Sequence, residues 1–315
     1  MAPTRVSPTI ALLTSVLALL TLSTSLAAAP APWRVLPWVG GPLQPGITAP
    51  APEQERHAPC GIALAKGKIV LGDRVHQRIL VLDNEARPTA SFPIGKRGLL
   101  GLTTSGARVA WLDASQKRLW WLDISRADAK PRRIPLKTPA TAVLTGHKGR
   151  LWVLDSLDNA RLASGRTRMA RARPLGAGVP WHGAGLKTGE KKGEALLWRW
   201  QRAARVKPPG PDWLIEVRTR RRLGMIEPLA VTAGEDAYLR IETLSEGSPL
   251  HVWEAVHRVP MRGARSKVIW PVNGIAATPQ NITVSSDGTI YRMAARPNGL
   301  WLWRIRLDRG PGGGR

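Results

Sequence analysis

The chain is 315 residues long and carries 47 Lys and Arg against 22 Asp and Glu, a formal net charge of +25. A field of that sign draws polyanions and repels cations, so acidic polymers and acidic proteins rank ahead of cationic partners. The single cysteine, Cys60, excludes an internal disulfide framework, and without a Cys-x-x-Cys the sequence supports no zinc ribbon, attached haem or dithiol chemistry.

Residues 1–27 read as a secretory signal: Arg5 gives the positive start, Ile10 to Leu26 is an apolar run diluted with Ser and Thr, and Ser25-Leu26-Ala27 is a small-residue cleavage site. The run, about 17 residues, is short for a spanning helix. Removal is therefore expected, with no transmembrane anchor afterwards and a mature chain that is periplasmic or extracellular. Residues 28–58 are rich in Pro and Ala around one strand-like island, Trp33 to Val39, and Gly40 to Ala58 reads as a linker.

From residue 59 a phrase recurs. Ile69-Val70-Leu71-Gly72-Asp73, Val109-Ala110-Trp111-Leu112-Asp113 and Leu151-Trp152-Val153-Leu154-Asp155 end in aspartates 40 and 42 residues apart. Asp73 and Asp113 are followed after four residues by Arg78 and Arg118, and Asp155 by Arg161. A fixed period of this size marks repeated units, and short apolar runs separated by turn residues make each unit a small antiparallel sheet. The expected fold is therefore all-β, a six-bladed β-propeller of four-stranded antiparallel blades over 59–308, followed by a Gly-rich tail at 309–315.

Blade one is expected at 59–96, with Cys60 buried at the start of its first strand. Blades two and three follow at 97–138 and 139–177. Blade four, 178–224, is the least regular, its clearest strands being Ala195–Trp200 and Trp213–Val217. Blade five, 225–272, opens on an inner strand Leu229–Ala233. Blade six offers Asn281–Ser285, Thr289–Ala294 and Leu300–Leu307 and then runs out of chain, one strand short. Trp33 to Val39 is expected to supply that outer strand and close the ring, since an unpaired edge would otherwise remain.

Pro59-x-Gly61-Ile62-Ala63, then Gly67-Lys68-Ile69-Val70, Asp73 and Arg78-Ile79-x-Val81, resembles the repeat of the NHL class of propellers; Pro279-x-Asn281-Ile282 and Asp287-Gly288-Thr289-Ile290 echo it. The resemblance implies fold, not activity, and in it the Asp and Arg hydrogen-bond across the strand-to-strand turn. Asp73, Asp113 and Asp155 are accordingly read as structural. Fourteen of the seventeen aromatic residues are Trp, mostly within apolar strand runs, where they pack blade on blade; Trp181 is read as lying outside the strands and open to sugar stacking.

Segment 161–222 holds 16 Lys and Arg against 4 Asp and Glu. Turns joining first to second and third to fourth strands leave a blade on one rim. On that register Arg166, Arg168, Lys191, Lys192, Arg218, Arg220, Arg221 and Arg222 form a cationic face, with Arg126, Lys130, Arg132 and Arg133 of blade two beside it. Such a face suits an anionic polymer or an acidic protein partner through charge-assisted, often bidentate contacts. Phosphate contacts also admit nucleic acid, which export disfavours. No cofactor and no metal is expected. A propeller hydrolase of the metal-dependent lactonase type is the alternative; it needs channel carboxylates, and the expected inner strands contain no Asp or Glu. The sequence reading is thus of a binding or scaffold protein, not an enzyme.

Overall fold

The computed structural model describes residues 30–39, 41–50, 56–146, 149–156, 160–163 and, with short interruptions, 224–307; between 164 and 223 it describes strand backbones alone. The signal segment 1–27 and the tail 309–315 lie outside the described residues. None of the described residues forms a helix long and apolar enough to cross a membrane.

The described chain is built of β-strands. After β1 (Arg34–Leu36), the first full sheet is β2 (Gly61–Ala65), β3 (Lys68–Asp73), β4 (Arg78–Leu82) and β5 (Pro88–Pro93). The second is β6 (Leu102–Ser105), β7 (Arg108–Leu112), β8 (Arg118–Asp123) and β9 (Arg132–Pro135); the third is β10 (Ala142–Thr145), β11 (Leu151–Leu154), β12 (Ala160–Leu162) and β13 (Arg168–Met169). β14 (Ala172–Arg173), β15 (Trp181–Lys187), β16 (Leu196–Arg202) and β17 (Trp213–Val217) form the next. β18 (Arg222–Val231), β19 (Ala237–Leu244), β20 (Val252–Val259) and β21 (Ser266–Pro271) follow. The last sheet is β22 (Ile282–Val284), β23 (Thr289–Arg296) and β24 (Gly299–Arg306), to which β1 adds. Every sheet is four-stranded and antiparallel, as in a propeller blade.

Where the sequence predicts six packed blades, five pack in an unbroken arc. Inner strand β18 meets β22, β22 meets β2, β2 meets β6 and β6 meets β10. The sheet β14–β17 is described by strand pairing alone, and the contacts that would close a ring through it lie outside the described residues. The island Trp33 to Val39 contributes its predicted strand. Arg34, Val35 and Leu36 pair with Leu302, Trp301 and Leu300, and the Trp38 indole donates to the Arg296 carbonyl at 2.8 Å.

Cores lie between blades. Ile79, Val81, Leu102, Val109 and Trp111 fill the space between blades one and two, and Leu36, Ile62, Leu71, Leu80, Met293 and Leu300 that between six and one. Alternate residues of each strand serve opposite neighbours, which is why both faces of β3 and β4 are buried. Near the axis the inner strands approach closely. A Cβ at Gly61 would sit 2.9 Å from Leu102 Cβ and 3.2 Å from Gln280 Oε1, so the glycine of Pro59-x-Gly61 is required by packing. Gln280 joins three blades there: its N–H donates to the Cys60 carbonyl (3.1 Å), its carbonyl accepts from Ile62 N–H (3.0 Å), and its Oε1 accepts from Leu102 N–H (2.7 Å).

Asp73 makes the hydrogen bond to its arginine that the motif implies, and Asp113 and Asp155 stand at ion-pair distance from theirs. Asp73, Asp113 and Asp155 pair with Arg78, Arg118 and Arg161 at 3.0, 3.7 and 3.8 Å. Arg78 also donates to the carbonyls of Pro42 and Gln44, tying the linker to blade one. Cys60 is buried, and burial, partly offset by the Arg74 charge, pushes its thiol up to about 12.

Two predicted elements are corrected. β15 is a strand that the glycines of His182-Gly183-Ala184-Gly185 hide from a propensity reading, so Trp181 belongs to a strand and not to a loop. The predicted strands Ala195–Trp200 and Trp213–Val217 thereby become the third and fourth of their sheet. β18 begins at Arg222, seven residues before the predicted inner strand Leu229–Ala233.

Candidate functional site

Five inner strands line a cavity of about 780 Å³. It is walled by β2, β6, β10, β18 and β22 and reaches the turns that follow them, through Lys66 and Gly67, Gly106, and Ser285 to Asp287. The longer β18 brings a carboxylate, Glu227, onto the wall, and Asp287 adds another. This overturns the expectation of inner strands without acids: the sequence reading began the strand at Leu229 and so missed Glu227.

Glu227 is the half-buried outer end of a polar stripe across blade five. Glu227 lies opposite Arg240, and Glu242 opposite Glu254, so the four share one face of the sheet. That face meets Asn281 and Arg292 of blade six. The Glu254 carboxylate, with no exposed side-chain surface, accepts from Arg292 Nε at 2.7 Å, Arg240 Nη2 at 2.8 Å and Asn281 Nδ2 at 3.1 Å. Arg240 also reaches Glu242 at 2.7 Å and Glu227 at 3.4 Å. Arg292 lies between the rings of Trp303 and Trp270, at 4.8 and 5.0 Å. Burial pushes the Glu254 carboxyl up, but the Arg292 and Arg240 charges, with hydrogen bonds from Arg292 and Asn281, outweigh it and hold it below its ordinary value. The sequence signal for this stripe was Arg240-x-Glu242, two charges on one phase of an otherwise apolar strand.

A hard cation of the lactonase type does not fit these residues. Glu254 is already saturated by two guanidiniums and an amide, and Asp287 by Ser285 and Thr289. Among the described residues no three His, Cys, Asp or Glu side chains are grouped to hold a metal.

Of the predicted cationic rim, Arg166, Lys191, Lys192, Arg218, Arg220 and Arg221 lie outside the described residues. Arg168 begins β13 and Arg222 begins β18, both described by backbone alone. In chain order Arg166 falls between β12 and β13, a third-to-fourth link, whereas Lys191 and Lys192 fall between β15 and β16, a second-to-third link. Arg218 to Arg221 follow β17 in the chain.

Blade two is described more fully. Arg126 and Lys130 sit exposed in the β8–β9 link and Arg132 exposed at the start of β9, at the rim where the cavity opens. Arg108 and Arg132 lie 4.9 and 5.4 Å from the Trp121 ring centre. On the same rim the Asp123 carboxyl is held below its usual value, first by Ser125 hydrogen bonds and further by the Lys66 and Arg108 charges. The asparagine of the sequon Asn281-Ile282-Thr283 is 7% exposed and donates to Glu254, so it is not presented for glycosylation in the folded chain.

No protein-family model and no curated protein matches this chain. Among solved structures it is similar to a streptogramin B lyase (13% identity over 79% of this chain and 93% of that one, TM-score 0.42). It is also similar to virginiamycin B lyase from Staphylococcus aureus (12%, 78% and 95%, TM-score 0.41) and to the Pan2 WD40 domain of Neurospora crassa (7%, 80% and 77%, TM-score 0.41). At such identities and scores, these likenesses say nothing of what this chain binds or does.

Proposed function

We propose that this chain is an exported binding or scaffold protein, a six-bladed ring completed by the sheet β14–β17 and by β1, that holds an anionic polymer or an acidic protein against a basic rim. The observation that carries the reading is the exposed cation at the rim where the cavity opens: Lys66, Lys68, Arg108, Lys130, Arg132 and Arg150. The most buried carboxylates, Asp73 and Glu254, are already committed to arginines within the fold, so they do not neutralise this surface. Arginine at such a rim binds phosphate, sulfate or carboxylate through charge-assisted bonds. Export rests on the signal at 1–27 and ranks envelope polymers and acidic proteins above nucleic acid.

The test is retention on a heparin column and on a carboxylated polymer, at rising salt, of the chain and of two quadruple variants. One variant changes Lys66, Arg108, Lys130 and Arg132 to Glu; the other changes Arg166, Arg168, Arg218 and Arg220. The first is expected to lose apparent affinity by more than about tenfold, with a shallower salt dependence, and to keep its β-sheet circular dichroism. Retention of both variants equal to the parent refutes the reading.

A further inference from the structure

We propose that Arg108 and Arg132, set by the Trp121 ring, are the anchoring site of the basic rim, and that its ligand is a linear acidic polysaccharide held by the carboxylate or sulfate groups of neighbouring sugar units. This rests on the rim reading and goes beyond it: the placing of two guanidiniums, and not the sum of positive charge, selects the polymer.

The site follows from strand register. Trp121 of β8 lies opposite Ala110 of β7 and Arg132 of β9, and Arg108 lies opposite Asp123. Cross-strand partners share a face, as do alternate residues of one strand. Arg108, Trp121 and Arg132 therefore form a row across one face of blade two, with an arginine from the strand on each side of the ring. Trp121 is half-buried and packs partly on the core shared with blade three, while both arginines are exposed. At 4.9 and 5.4 Å from the ring centre, the guanidiniums are held by the indole without using their N–H groups.

Those N–H groups find no acceptor in the protein. Among the described residues neither side chain makes a hydrogen bond or an ion pair. Asp123 takes hydrogen bonds from Ser125 N–H and Oγ at 3.0 and 2.6 Å, and Asp128 pairs with Arg126 at 3.3 Å. Other arginines held by rings are spent: Arg97, 4.5 Å from the Trp120 ring centre, donates to the Ile94 carbonyl, and Arg292 pairs with Glu254. Arg108 and Arg132 are thus positioned yet unfilled, so an anion gains their charge-assisted bonds while little side-chain freedom is lost.

The surroundings select the polymer. Lys66, Lys130 and Arg150, exposed on the same rim, extend the row over three adjacent blades, which suits a linear chain better than a small anion. The exposed large apolar side chains of the described residues, Val39, Leu100, Met225 and Ile269, all lie outside the turns of this rim. An acidic protein would find charge there without the apolar anchor that interfaces use. Single-stranded nucleic acid stacks its bases on open aromatic rings, and Trp121 carries guanidiniums instead. Carboxylates and sulfates on a sugar chain need charge-assisted contacts, which the row supplies.

The experiment is titration of the whole chain with heparin and polygalacturonate at rising salt, with polyglutamate and DNA as comparators. Arg108→Lys with Arg132→Lys, and separately Trp121→Leu, leave the net charge unchanged; Lys66→Ala with Lys130→Ala lowers it. Each of the first two is expected to weaken binding of the preferred polysaccharide about tenfold, and the lysine pair to weaken it less although it removes more charge. Both arginines are exposed, so their variant is expected to melt as the parent does and decides the matter even where loss of the indole loosens the blade. Arginine-to-lysine and Trp121 variants that bind as tightly as the parent overturn this proposal and leave the rim reading standing. A parent chain that binds none of the four polyanions overturns both, and tighter binding of polyglutamate or DNA than of either polysaccharide overturns the choice of ligand.

Discussion

Asp73 and Asp113 hold equivalent positions in blades one and two, yet their surroundings differ. Asp73 has no exposed side-chain surface and accepts from His76 N–H, the His76 ring and Arg78, at 3.2, 2.8 and 3.0 Å. Arg78 is itself largely buried. Asp113 faces an Arg118 that is 54% exposed and 3.7 Å away, and it keeps one close donor, Ser115 Oγ at 2.6 Å. Breaking a buried pair strands a charge, whereas an exposed pair contributes little because water screens it. Asp73→Ala is expected to cost about 3 kcal/mol and Asp113→Ala about 1 kcal/mol, read from urea unfolding curves. Equal losses would show that the motif, and not its burial, sets the value.

At the scale of the element, β1 matters out of proportion to its three residues. Leu36 is 2% exposed and packs among Ile62, Leu80 and Leu300, so one strand residue contributes to the core shared by the first and last blades. Without β1, the long strand β24 would offer an open edge, a template for pairing with other chains. Leu36→Ala is expected to lower stability by about 3 kcal/mol, against less than about 1 kcal/mol for exposed Arg34→Ala. Denaturant unfolding of the two variants checks this, and a Leu36 variant as stable as the parent would mean that the terminal hairpin does without its added strand.

At the scale of the molecule, the polar stripe is a seam between blades five and six, set within a cluster of Tyr238, Val256, Trp270, Ile290 and Trp303. Because the folded Glu254 carboxyl lies below its ordinary value, the unfolded chain binds its proton first as pH falls. Stability from this group is complete above the ordinary carboxylate range and is lost as pH drops through the depressed folded value. Glu254→Gln leaves Arg292 buried beside a neutral amide and is expected to cost about 3 kcal/mol near neutrality. The gap to the parent should narrow as pH falls below the ordinary carboxylate range. A gap that stays constant as the pH falls would place the proton elsewhere.

Much of the fold was legible because it is periodic. The forty-residue spacing, the Asp and Arg partners and the strand island at Trp33 to Val39 are local patterns, and strand alternation alone says which residues can be buried. Two features escaped. β15 carries two glycines, which lower strand propensity, and so looks unlike a strand in the sequence. The Glu254 seam escaped for another reason. Its partners Arg240, Asn281 and Arg292 lie 14 to 38 residues away in sequence, and only blade packing brings them together and makes an ordinary charge a buried one. The repeat and the excess of positive charge thus belong to the sequence itself, because each is a property of neighbours along the chain. Which charges are spent inside the fold was decided by the tertiary structure, because burial and pairing depend on what the other blades bring.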